Sequence, residues 1–293
     1  MTRPQTLGVL GFGDAARTIT ASLQEVSPRE ILVWKRHPWS DDVRASAQGA
    51  SVTLCAEASD VAKRADVLFS LVTPTAAAEV ADRVGGSVAG KFYVDLNAAS
   101  MRAIERTAEV VTANGGRFVD GAIMGPLKRQ RHAVSTLVSG DEAEALAEML
   151  RGWQMNVRAI GTKPGLASTV KMIRSVYTKG LEAAVVEFMI AAKRCDATEA
   201  VLDSLEEIIE LGPFLLPLRE MVRELILEQV PHAARRGDEM EQVTLTMQQL
   251  GVDPLTAGSA FKRLRWITEE RRLKERFAGE EPTYDAVLDA LAE

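Results

Sequence analysis

The sequence predicts an α/β chain, a doubly wound parallel sheet followed by an all-α C-terminal domain. Three observations predict it. Short apolar runs alternate with helical patterns through the first half, a glycine-rich turn opens the first such unit, and the strand signals stop after about residue 163.

Strands are expected at 7–10, 31–34, 52–54, 67–71, 92–96 and 118–123, with shorter ones at 135–138 and 157–160. Each is brief, apolar and bounded by Gly, Pro, Asp or Asn, as strands buried on both faces tend to be. Helical patterns fill the gaps at 14–25, 57–64, 75–84, 99–113 and 141–151. From 166 to 194 runs one long pattern rich in Ala, Val, Met and Ile, with Gly180 its only interior glycine. Further helices fit 197–210, 214–230, 238–250, 254–276 and 283–292, punctuated by Pro213, Pro231, Pro254 and Pro282. The boundary expected from this change divides the chain into domains 1–162 and 163–293.

Composition narrows the function. The chain has 293 residues, 46% hydrophobic and 26% charged, the balance of a globular protein able to bury a core without staples. A net charge of -6 argues against a nucleic-acid partner, which selects for clustered Lys and Arg. The short basic cluster Lys128, Arg129, Arg131 and His132 reads as a solvated loop. Cys55 and Cys195 stand outside any metal-binding spacing, so no metal is expected. No leader and no run of about 18 apolar residues is seen, so the expected location is the cytoplasm, with no membrane partner.

The stretch LGVLGFGDAA at 7–16 is a strand, a tight turn and a helix start, and fits G-x-G-x-x-A with Gly11, Gly13 and Ala16. Gly11 permits the turn, Gly13 admits a pyrophosphate close to the backbone, and Ala16 lets helix and strand pack closely. Phe12, Asp14 and Ala15 complete the turn, where the helix N-terminus offers free N–H groups to phosphate. Such a Rossmann unit that takes NAD ends its second strand in a carboxylate. Here that strand ends in Lys35, Arg36 and His37, which favours the 2′-phosphate of NADP over NAD. Two more loops belong at the same sheet edge: Val72, Thr73 and Pro74 after the fourth strand, and Asn97 after the fifth, expected to face the nicotinamide.

In this order of parts the chain resembles the β-hydroxyacid dehydrogenase family, which includes 6-phosphogluconate and 3-hydroxyisobutyrate dehydrogenases. The resemblance covers about 190 residues. The remainder is similar to the helical C-terminal domain of a branch whose domain has no known function. In the family a junction helix carries G-x-G-x-x-x-K-x-x-x-N, and Lys171 falls at the Lys position, six residues after Gly165. The resemblance implies that Lys171 exchanges a proton with the substrate hydroxyl during hydride transfer at the nicotinamide. Its apolar neighbours Val170, Met172 and Ile173 independently predict partial burial, which lowers an ammonium pKa towards a range useful for proton transfer.

The departures are specific. Ala167 stands where the family has a second Gly, and Ser175 where it has Asn. The family's substrate segment D-A-P-V-S-G-G corresponds to 120–126, with Met124 in place of the hydroxyl that helps hold a carboxylate. Gly125, with a free N–H, and Ser175 remain candidate substrate contacts. In the C-terminal half His232, Arg235, Arg236, Asp238 and Glu239 form the densest polar knot, and His232 is the candidate from it.

The reading is therefore an NADP-dependent oxidoreductase acting on CH–OH, with a small hydroxy or oxo substrate. The helix at 166–194 is apolar enough to predict a homodimer. Two alternatives stand beside it: an imine-reductase-like enzyme on the same scaffold, and a non-catalytic NADP-binding protein. Retention of Lys171 speaks against the first, and the loss of Ser and Asn keeps both open. The sequence names neither the substrate nor the physiological direction.

Overall fold

The computed structural model describes residues 5–97 and 99–293. The chain packs as two compact units that meet between Ser175 and Val176. In the first, eight strands form one sheet: β1 (Leu7–Leu10), β2 (Ile31–Trp34), β3 (Thr53–Leu54), β4 (Val67–Ser70), β5 (Phe92–Asp95), β6 (Arg117–Ile123), β7 (Thr136–Ser139) and β8 (Val157–Ala159). Their order is β3-β2-β1-β4-β5-β6-β7-β8, and every pairing is parallel except β6 with β7. The first six strands are thus a doubly wound Rossmann sheet with its order reversing between β1 and β4.

Helices α1 (Asp14–Val26), α2 (Asp41–Gly49), α3 (Ala58–Arg64), α4 (Ala77–Val84) and α5 (Met101–Ala113) follow the first five strands in turn. A one-turn α6 (Leu127–Gln130) and α7 (Ala143–Gly152) come later. Alternation within each strand fills two cores. Leu7, Val9, Ile31, Val33, Val67 and Phe69 face the layer that includes α1, while Leu10, Leu32, Leu68 and Tyr93 face α3 and α4. Gly8 allows the second layer to close, because a Cβ there would come within 2.6–2.8 Å of Leu68, Val61 and Ala65.

The strands end level. Leu10 pairs with Ser70, Ser70 with Asp95, and Asp95 with Asp120. The loops after β1, β4 and β5 therefore emerge side by side at one sheet edge, where the order reversal leaves room for a ligand.

Helix α8 (Leu166–Arg194) is about 44 Å long at 1.5 Å per residue, and its first part packs with the sheet unit, which ends at Ser175. The second unit holds α9 (Thr198–Leu211), α10 (Leu218–Leu227), α11 (Gln229–Gln249), α12 (Leu255–Trp266), α13 (Leu273–Arg276) and α14 (Tyr284–Ala292). Its small core gathers Ala233, Ile267, Leu273, Val287 and Ala290.

Three expectations need correction. Helix α2 was absent from the sequence reading, because DDVRASAQG carries a single large apolar residue, Val43. The expected break between 230 and 238 does not occur: α11 runs unbroken through Pro231, which sits in the first turn where its missing N–H costs no bond. The expected helix 254–276 is three segments, with a π turn at Ile267–Arg271 and a left-handed Arg272 at φ 49°.

Candidate functional site

The turn after β1 is built for close approach. The N–H of Gly11 donates to the Trp34 carbonyl at 2.7 Å, and the N–H of Leu71 donates to the Leu10 carbonyl at 2.8 Å. Gly11 has φ +99°, and a Cβ there would lie 2.1 Å from the Leu71 oxygen, so only glycine fits. At Gly13 the situation is opposite. A Cβ would meet no protein atom within 4 Å, so this face of the turn is open. Gly13 caps α1 with no side-chain bond to the first turn, which leaves the N–H groups of that turn facing the opening. A cradle that a Cβ would fill, at the positive end of a helix, fits a dinucleotide phosphate pair.

Two cavities flank Gly13. One, of about 330 Å³, reaches the end of β2 and is lined by Phe12, Arg17, Lys35, Arg36, His37, Val72 and Thr73, among others. No carboxylate lines it. Arg17 also pairs with Asp42 at 3.1 Å and lies over the Phe12 ring. Arg36 pairs with Glu79 at 2.5 Å, and the exposed Glu79 carboxyl is held below the usual carboxylate range by Arg83 first and also by Arg36. Arg17 escaped the sequence reading, although its place one turn after Gly13 put it on the correct helix face.

The second cavity, of about 400 Å³, brings together Gly13, Ala15, Asn97, Gly125, Lys171 and Arg174, walled by Leu71, Leu96, Ile123 and Leu127. Lys171 is half-buried. Burial, and then the Arg174 guanidinium, hold its ammonium below the ordinary lysine range. The helix that carries it is anchored to the sheet. The wholly buried Asp120 carboxylate accepts the Ser168 N–H at 2.9 Å, the Ser168 hydroxyl at 2.5 Å and the Ser139 hydroxyl at 3.1 Å. Ser139 in turn accepts the Ala167 N–H at 3.0 Å.

Several expected site residues play a different local part. The Asn97 amide donates both to Ser70 at 3.0 Å and to Asp95 at 2.6 Å, and its oxygen accepts the Val72 N–H at 2.7 Å. Its side chain lines the cavity while tying β4 to β5, with both amide hydrogens donated inside the protein. The Met124 side chain packs against the cluster of Ala122, Leu137 and Ala167. The Ser175 hydroxyl donates back to the Lys171 carbonyl at 2.8 Å. Neither Met124 nor Ser175 lines the two cavities, and neither do Asp14 and Pro74. His232 lies on α11 in the second unit, 3.5 Å from Glu228. Arg174 is the cavity residue the sequence reading passed over. Among the described residues no group of three or more potential metal ligands is found, and no helix is long and apolar enough to cross a membrane.

Residues 6–99 match a family model described as NADP oxidoreductase, coenzyme F420-dependent, and residues 192–267 match a domain of unknown function, DUF1932. The conserved protein MTH1747, whose structure is described as similar to 3-hydroxyacid dehydrogenases, is 29% identical with a TM-score of 0.59, over 92% of this chain and 99% of that one. An imine reductase from Myxococcus stipitatus, solved with NADP+, shares the fold at 17% identity with a TM-score of 0.73, covering 98% of this chain and 100% of its own. Glyoxylate/succinic semialdehyde reductase 1 of Arabidopsis thaliana is 22% identical over 72% of this chain and 73% of that protein.

Proposed function

We propose that this chain, an NAD(P)-dependent oxidoreductase of the hydroxyacid dehydrogenase and imine reductase type, uses NADP(H) and interconverts a small oxo compound and its alcohol, with Lys171 as acid and base. The observation that carries the reading is one cavity lined at once by the Gly13 turn, the Asn97 loop and Lys171. Support for NADP comes from the neighbouring cavity, whose lining at the end of β2 offers Arg17, Lys35, Arg36 and His37 and no acid.

The Gly13 turn and the cations at the end of β2 would hold a reduced nicotinamide dinucleotide along this edge, which would supply a hydride to the substrate carbonyl carbon. Lys171 then gives its ammonium proton to the carbonyl oxygen, and in the reverse direction its amine takes the hydroxyl proton. Partial burial eases both transfers by bringing its pKa towards the working pH. The apolar walls at Leu71, Leu96 and Ile123 exclude water from the reacting atoms.

The test is a panel of hydroxy acids, oxo acids, aldehydes and cyclic imines followed by NADPH absorbance. Lys171→Ala should abolish turnover of the accepted substrate and leave NADPH binding nearly intact. Full activity in that variant rejects the role of Lys171, and turnover of imines alone selects the imine-reductase reading. Arg36→Ala should weaken NADPH binding and leave NADH binding unchanged. Equal affinity of the wild type for the two coenzymes counts against NADP.

A homodimer belongs to the same proposal. Ile173, Val176, Tyr177, Leu181 and Val186 of α8 are 54–77% exposed in a single copy, more apolar surface along one helix than a monomer keeps in water. A second copy covering this helix removes it from solvent. Sedimentation that shows only monomer at micromolar concentration rejects the dimer.

A further inference from the structure

Resting on that reading of the cavity, we propose that Arg174 is its specificity-determining residue, binding the substrate carboxylate in place of the hydroxyl that Met124 lacks. The Nη1–H of Arg174 donates to the Met124 carbonyl at 2.5 Å. This tether holds the guanidinium at the end of β6 and leaves its other donors free. Lys171 and Arg174 are three residues apart on one helix and line the same cavity. Among the described residues neither has a carboxylate partner, although Arg17, Arg36, Arg64, Arg131, Arg151 and Arg276 are each paired with one.

An acid-free cavity with two unpaired cations lacks a counter-charge. The tether leaves Arg174 enough donors for a planar, two-pronged contact with a carboxylate, and Lys171 is then left to the carbonyl oxygen. A small oxo acid satisfies both at once, with its charge on Arg174 and its reacting oxygen on Lys171. Met124 contributes through its backbone carbonyl, while its side chain packs into the apolar cluster with Ala122 and Ala167.

The experiment compares wild type, Arg174→Gln and Arg174→Lys. Steady-state kinetics use succinic semialdehyde and butanal, which differ at the end remote from the carbonyl. Calorimetry titrates acetate, butanoate and hexanoate, which have no carbonyl to reduce, into the NADPH-loaded protein. A charge-assisted hydrogen bond predicts a loss of roughly 10- to 100-fold in carboxylate affinity, and in kcat/KM for the acid aldehyde, in Arg174→Gln. Arg174→Lys should restore part of it, and the loss for butanal should be far smaller than that for the acid aldehyde. Carboxylates that bind wild type and Arg174→Gln equally, or bind neither, overturn the proposal, as does an equal loss for both aldehydes. Carboxylate binding that needs Arg174 in a protein that turns over no carbonyl would sustain the anion site and reject the enzymatic reading.

Discussion

Asp120 and Ser168 are joined twice, through the Ser168 N–H at 2.9 Å and its hydroxyl at 2.5 Å. The middle of β6 therefore sets the first turn of α8, and Lys171 stands one turn further along. Asp120→Ala would leave the Ser168 N–H and two hydroxyls buried without an acceptor. At about 1–3 kcal/mol for each of the three unmet donors, a loss of at least roughly 3 kcal/mol in unfolding free energy is expected. Ser168→Ala keeps the backbone bond and should cost about 1 kcal/mol, with a fall in kcat larger than the change in NADPH affinity. Urea denaturation alongside kinetics checks both. An unchanged kcat in a folded Ser168→Ala protein would separate the clamp from the position of Lys171.

Gly11 and Gly13 predict opposite outcomes for the same substitution. Gly11→Ala forces a Cβ to within 2.1 Å of the Leu71 oxygen at a positive φ. It should destabilise the sheet domain by several kcal/mol and lower soluble yield. Gly13→Ala meets no protein atom within 4 Å and has φ -85°, which alanine adopts freely. Its thermal midpoint should stay near that of the wild type while NADPH affinity drops at least 10-fold, because the added methyl occupies the phosphate cradle. Unchanged NADPH affinity in Gly13→Ala would remove the cradle from the argument.

The parts legible in the sequence are those written in local periodicity. All eight strands and the Gly11 turn follow from short apolar runs and glycine spacing, whereas the strand order and the antiparallel pairing of β6 with β7 do not. Helix α2 was not legible, because its two buried residues, Val43 and Ala47, are too few to make a stripe. At the site, resemblance pointed to Lys171, but the bond from Val72 to Asn97 and the tether from Arg174 to Met124 join residues 25 and 50 positions apart. Such pairings depend on strand register, which a linear pattern does not contain. The Met124 side chain packs towards α8 because β6 and β7 pair antiparallel up to Ile123 and Thr136, another tertiary fact.

The Lys171 ammonium is held below its ordinary range by burial and by Arg174, which fixes the direction of a pH profile. Reduction needs the protonated form, so kcat for reduction should fall as pH rises through the Lys171 pKa, at a pH below about 10.5, the ordinary value. Oxidation needs the free amine and should rise across the same interval. Arg174→Gln removes one cause of the depression, so its alkaline limb should move to higher pH. A limb that does not move, measured in both directions, would show that another group sets it.

Asp95 tests the sheet edge without any ligand. Its carboxyl is wholly buried and is pushed up to about 6, chiefly by burial. Oδ1 accepts the Asn97 N–H at 2.9 Å and its amide at 2.6 Å, while Oδ2 has no partner. The folded protein thus holds this proton more tightly than the unfolded chain, where the value is an ordinary 3.8. The linked stability is fully present below pH 3.8 and is lost as pH rises through 6. About two units of displacement correspond to roughly 3 kcal/mol. Asp95→Asn keeps the acceptor for Asn97 and cannot ionise. Its unfolding free energy, measured in urea against the wild type, should compare best near pH 7.5, and the wild type should gain on it as the pH is brought down to 4.5. A difference between the two proteins that stays constant over this range would show that Asp95 is ionised in the fold throughout, and that the Asn97 bonds outweigh its burial.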